Sequence, residues 1–156
     1  MGAQKHLLVV THTPTDNTRR LAAAVVAGAR HEDISGVEVR QVAPLEAGED
    51  DVHWADAIIL GTPANFGYMS GALKDFFDRV YPPLLDQTVG LPYALYVRGK
   101  TDAAGAQASV ERIVTGLKWR AVQPALTCVG AWDEAFLGAC EELGMTLAAG
   151  LELGIF

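Results

Sequence analysis

The chain has 156 residues, half of them apolar, and a formal net charge of −7. That length suits a single domain over residues 1–156 with a full core, and the apolar share excludes disorder. The acidic balance excludes nucleic acid as the main partner, because phosphate binding needs a basic footprint; it suits a soluble protein that meets basic or electron-donating partners.

Met1-Gly2-Ala3-Gln4-Lys5-His6 leads straight into a short apolar strand, so neither a signal peptide nor a membrane span is expected. His6 stands where a myristoylation site has Ser or Thr. Cys128 and Cys140 lie in apolar stretches without CxxC spacing or a His partner and read as reduced core residues. Cytoplasm is the expected compartment.

Periods of two and 3.6 residues alternate along the chain. Lys5 to Thr11 reads as a buried strand, and Asn17 to His31 as a helix with Leu21, Val25 and Ala29 on one face. Val37 to Val42 alternates as a strand; Pro44 to Trp54 is a polar, acidic connection. Ala57 to Thr62 is a second buried strand, followed by a helix from about Ser70 to Val80 that Pro82-Pro83 should stop. Tyr93 to Arg98 is a strand, and Ala103 to Trp119 a helix striped by Val110, Ile113, Val114 and Leu117. Gln123 to Val129 is the last strand, and Glu134 to about Ala149 the last helix. Short apolar strands alternating with helices predict an α/β, doubly wound parallel sheet of five strands with helices on both faces. In such sheets a ligand sits beyond the carboxyl ends of the strands. The loops after the first, third and fourth strands therefore carry the functional reading.

The first loop, Thr11-His12-Thr13-Pro14-Thr15-Asp16-Asn17-Thr18, holds four hydroxyls and a carboxamide at a helix start. Free N–H groups and the positive end of the helix dipole can hold a phosphate there without a lysine or arginine. A plainer role for Thr15, Asp16 or Asn17 is helix capping. There is no Gly-x-Gly, so the dinucleotide fingerprint is absent. Gly99-Lys100-Thr101 is not a P-loop, because Ala94 stands where that motif needs glycine.

The second loop runs from Gly61-Thr62-Pro63-Ala64-Asn65-Phe66-Gly67 through Tyr68-Met69-Ser70. Its glycines allow close backbone approach, while Phe66, Tyr68 and Met69 offer aromatic and thioether surface to a flat heterocycle. Asn65 has the donor and acceptor that suit the pyrimidine edge of a flavin. Phe66 and Met69 can equally be core residues plugging the end of the sheet, and Ser70 can cap the next helix. In the third loop Arg98, Gly99, Lys100 and Asp102 follow the fourth strand. Thr101 or Asp102 is a candidate cap for the next helix. Arg98 and Lys100 place cations where a reduced flavin accumulates negative charge, or are simply solvated. Trp132 either lines the substrate side or packs on the last helix.

Thr13-Pro14-Thr15-Asp16-Asn17-Thr18 resembles the phosphate loop of flavodoxin-like proteins, which ends in Gly-Asn-Thr. Gly61-Thr62-Pro63 followed by Phe66-Gly67-Tyr68-Met69-Ser70 is similar to the flavin loop of WrbA-like quinone reductases and related NAD(P)H-dependent FMN reductases. The resemblance implies the flavodoxin-like strand order 2-1-3-4-5 and FMN as cofactor. It implies that Thr13, Thr15, Asn17 and Thr18 hold the phosphate, and that Thr62 to Gly67 hold the ring with Phe66 against it. It further implies NAD(P)H as electron donor, a quinone or other small acceptor, and a possible homodimer. A one-electron carrier serving redox proteins is the alternative. Asp16 departs from the family's Gly and should face solvent. The Trp/Tyr clamp of electron-carrier flavodoxins is missing, and so is the inserted element of typical WrbA-like chains.

Overall fold

Four consecutive residues, Leu7 to Val10, have no exposed surface. A strand sends successive side chains to opposite faces, so such a run needs cover on both sides of its sheet. The computed structural model describes residues 3–156, leaving Met1 and Gly2, and the myristoylation reading of the N-terminus, outside the described residues. Its elements are β1 (Lys5–Thr11), α1 (Asp16–Ala29), β2 (Val37–Val42), α2 (Glu49–Trp54), β3 (Ala57–Pro63), α3 (Gly71–Leu84), β4 (Pro92–Gly99), α4 (Ala104–Gly116), β5 (Arg120–Ala121), β6 (Leu126–Val129) and α5 (Ala135–Glu152).

The sheet is parallel, in the order β2-β1-β3-β4-β5, with β6 also on β4. Leu7 and Val9 pack with α1 and α5, whereas Leu8 and Val10 pack with α2, α3 and α4. Each fully buried Leu, Ile or Phe in these two layers contributes about 1.5–3 kcal/mol of transfer free energy. No helix among the described residues is long and apolar enough to cross a membrane. Cys128 and Cys140 are buried and unbridged, as expected.

Three expectations need correction. The acidic connection before β3 ends in a helix, α2, capped at Gly48. Glu49, Asp50 and Asp51 occupy its first turn, where carboxylates complement the dipole, and Val52 anchors it in the core. Pro82 and Pro83 do not stop α3, which runs on to Leu84. The two prolines remove donors only toward exposed Asp78 and Arg79, whose carbonyls can turn to water; Leu84 is fully buried and holds the last turn. The last strand is two pieces. Tyr93 aligns with Ala121 and Tyr96 with Leu126, so three steps along β4 match five along the edge. Pro124, which has no N–H, sits in the resulting bulge.

Candidate functional site

β1, β3 and β4 end side by side, and their following loops enclose a cavity of about 680 Å³. Pro14, Thr15, Asn17 and Thr18 line it from the first loop. The second loop contributes Pro63 to Gly67, and the third Arg98, Lys100, Thr101 and Asp102. Twelve of the residues expected from sequence are thereby gathered in one place, together with Thr101, which the sequence offered only as a helix cap.

The first loop ends in a reciprocal cap at the start of α1. The Thr18 N–H donates to Thr15 Oγ1 (3.2 Å), and the Thr15 N–H donates to Thr18 Oγ1 (2.9 Å). The Thr18 hydroxyl donates to the Thr15 carbonyl at 2.9 Å, so at the 2.9 Å contact between the two hydroxyls Thr15 is the donor. Both hydroxyl protons are therefore spent inside the cap. What faces outward is the start of α1: the N–H groups of Asp16 and Asn17, which have no partner within the helix, and the Asn17 carboxamide. Asp16 is exposed, pairs with Arg19 and stays out of the lining, as expected.

Thr11, His12 and Thr13 do not line the cavity. Thr11 is buried, with its hydroxyl 2.5 Å from the Tyr96 hydroxyl. His12 Nδ1 is buried without a hydrogen-bond partner among the described residues, and burial holds the imidazole below its ordinary value.

The second loop is a two-residue hairpin. Asn65 and Tyr68 exchange backbone hydrogen bonds of 2.8 and 3.0 Å, and Phe66 and Gly67 take φ of +53° and +70°. That is the conformation of a type I′ turn, which a phenylalanine adopts at a cost. Yet the Phe66 ring is fully exposed and gains no packing in return. The hairpin rests on α4, because a Cβ on Gly105 would lie 2.1 Å from the Gly67 carbonyl oxygen. Thr62 is buried and acts as a strut: its hydroxyl donates to the Pro63 carbonyl (2.8 Å) and accepts from the Ser70 N–H (2.9 Å). Ser70 caps α3 as expected, accepting from the Leu73 N–H at 3.2 Å. Met69 belongs to the core rather than to the cavity wall; it is buried, and its N–H donates to Ser109 Oγ.

In the third loop Gly99 is buried so close to the Asp102 carbonyl (2.2 Å from a built Cβ) that no larger residue fits. Neither Thr101 nor Asp102 caps α4, whose N-cap is Ala103 without a side-chain bond. Arg98 is less free than its place in sequence suggests. Its Nη1 donates to the Gly99 (2.7 Å) and Cys128 (3.0 Å) carbonyls, and the guanidinium lies over Phe136 and Trp132. Lys100 is exposed on the cavity wall and in no ion pair among the described residues. Trp132 packs edge-on against Phe136 (5.7 Å) at the start of α5, and Arg20 covers it.

A hydroxyl- and amide-rich helix start thus faces an aromatic hairpin across one cavity at the end of a 2-1-3-4-5 sheet. Residues 7–133 match the family model described as NADPH-dependent FMN reductase. The chain belongs to this family. Over 84 residues it is 40% identical to a flavodoxin of Aquifex aeolicus, covering 54% of this chain and 44% of that protein. Over 94 residues it is 33% identical to an NAD(P)H dehydrogenase (quinone) of Acidithiobacillus ferrooxidans, covering 47% of this chain and 46% of that one. The matched stretch thus spans a little under half the length of these relatives. Among solved structures, a flavodoxin from the domain Archaea superposes with a TM-score of 0.79 at 18% identity, covering 94% of this chain and 98% of that one. This FMN reductase family member therefore has the flavodoxin-like fold expected from its loops.

Proposed function

We propose that this FMN reductase family member binds FMN in the three-loop cavity and takes electrons from NAD(P)H for two-electron reduction of a quinone or other small acceptor. One observation carries the reading: the cavity has a neutral, donor-rich end at the start of α1 and an exposed aromatic hairpin at the other. Its volume of about 680 Å³ lies in the range of cofactor sites. The residues fit the group. The Asp16 and Asn17 amides and the Asn17 side chain would take the phosphate, aided by the α1 dipole. Pro63 to Gly67 would seat the ring, with Phe66 against it; the strained, unpacked Phe66 is what a ligand contact would explain. The flavin, when bound, supplies hydride acceptance and electron delivery. Lys100, and Arg98 held in place by two carbonyls, would supply positive charge to the ring end of a bound flavin and so would favour its uptake of electrons; the Asp102 carboxylate would offset part of that charge.

The flavodoxin relative and the charge of −7 favour a second reading, a one-electron carrier for redox proteins. Anaerobic addition of NADH or NADPH to FMN-loaded protein separates the two. Bleaching of the flavin absorbance, with a single two-electron reduction wave, supports the reductase. Flavin that is retained but not bleached, with two separated one-electron waves, supports the carrier. Failure to retain FMN rejects both.

A further inference from the structure

Thr11, Gly61 and Tyr96 stand in one register row across β1, β3 and β4. Two strand spacings, about 9.6 Å, separate the outer two backbones. The Tyr96 side chain crosses that gap over Gly61 and meets the Thr11 hydroxyl at 2.5 Å. The lane exists only because the middle residue is glycine: a Cβ on Gly61 would lie 2.3 Å from both Thr11 Oγ1 and the Tyr96 ring. Both outer side chains are buried, and burial raises the Tyr96 phenol above its ordinary value.

This row lies two residues before the paired Pro63 and Arg98, both of which line the cavity. The residue after β1, His12, donates its N–H to the Gly61 carbonyl at 3.1 Å. Just beyond the row, Ala64 donates to the Arg98 carbonyl at 2.8 Å. The three loops of the site therefore leave the sheet from strands tied together at one level. We infer that the Thr11–Tyr96 hydrogen bond across Gly61 is a positioning brace that sets the spacing of the phosphate loop against the ring hairpin, and so tunes cofactor affinity from below the site. The inference rests on the proposal that FMN occupies this cavity.

The pair is hidden from the ligand, so any effect of its loss on binding travels through loop spacing. Tyr96→Phe keeps the ring over Gly61 and removes only the hydroxyl; Thr11→Val removes the partner at nearly equal volume. Each should weaken FMN binding about fivefold to tenfold, the scale of one buried hydrogen bond. The double variant should lose little more than either single one, and Thr11→Ser should restore affinity. The visible circular dichroism of bound flavin should change in step. Titration of apo protein with FMN, beside urea unfolding of the same apo variants, reads this directly. Unchanged affinity and dichroism with a lowered unfolding midpoint would mean that the pair serves stability only, and would overturn the brace. If Tyr96→Phe does not fold, the comparison of Thr11→Val with Thr11→Ser decides alone. Wild type that binds no FMN overturns the cofactor proposal and the brace together; wild type that binds with unaffected variants overturns the brace alone.

Discussion

Thr15 and Asn17 are two positions apart, line the same cavity, and do different jobs. Thr15 spends its hydroxyl on the α1 cap, whereas Asn17 keeps its carboxamide for the cavity. Thr15→Ala should therefore cost about 1 kcal/mol of stability in urea unfolding. Asn17→Ala should leave stability within about 0.5 kcal/mol but weaken FMN binding, read by fluorescence titration, by about tenfold. Equal effects of the two on both readouts would refute this division. His12 adds a pH dependence. Its imidazole is held below 6.5 by burial, so the unfolded chain binds that proton more readily. The His12 contribution is intact above about pH 6.5 and is lost as pH falls from there through the folded value. His12→Gln should flatten the fall in urea midpoint below about pH 6.5. The residue types of the loops were legible in the sequence, because hydroxyls, amides and aromatics are concentrated in the three loops that leave one edge of the sheet. How they are spent was not. The partner that occupies Thr11 is 85 positions away in the chain, and only the register across β3 brings Tyr96 to it.

At the scale of elements, α1 and α5 meet backbone to backbone. A Cβ on Gly28 would lie 1.9 Å from the Glu141 carbonyl oxygen, and one on Gly144 would lie 1.9 Å from that of Val25. An alanine normally gains about 1 kcal/mol over glycine inside a helix. Here the methyl has no room in either direction, and overpacking against backbone costs about 1–3 kcal/mol. Gly144→Ala should therefore lower the thermal midpoint, and a rise would show that the helices can separate freely. Strands β1, β3 and β4 could be read from sequence because each is an unbroken apolar run covered on both faces. The outermost strand was legible over Leu126–Val129, but its break was not. Its bulge depends on which residues of β4 it pairs with, and a sequence pattern contains no register. Helix α2 escaped for a different reason: its first turn is three acids, which read as a solvated loop until the dipole they complement is in view.

Across the whole molecule, the proposed cradle for a doubly charged phosphate contains no paired lysine or arginine, while the chain carries −7. A cradle built from lysines would lose affinity as salt screens it. One built from amides and a helix start, inside an acidic protein, has long-range repulsion to be screened instead. FMN affinity should therefore stay flat or rise slightly between about 20 and 300 mM NaCl. Affinity that falls steeply over that range would place the phosphate on Lys100 or Arg98 and reverse the assumed orientation of the cofactor. The same orientation can be weighed by linkage. A ligand at about 100 times its dissociation constant stabilises the folded state by about 2.7 kcal/mol. For a chain of this length that corresponds to a rise in thermal midpoint of about 5–10 °C. Riboflavin, which keeps the ring and lacks the phosphate, should give a clearly smaller rise at equal concentration if the start of α1 holds the phosphate. Equal shifts would leave the hairpin as the whole binding site and strip the first loop of its proposed role.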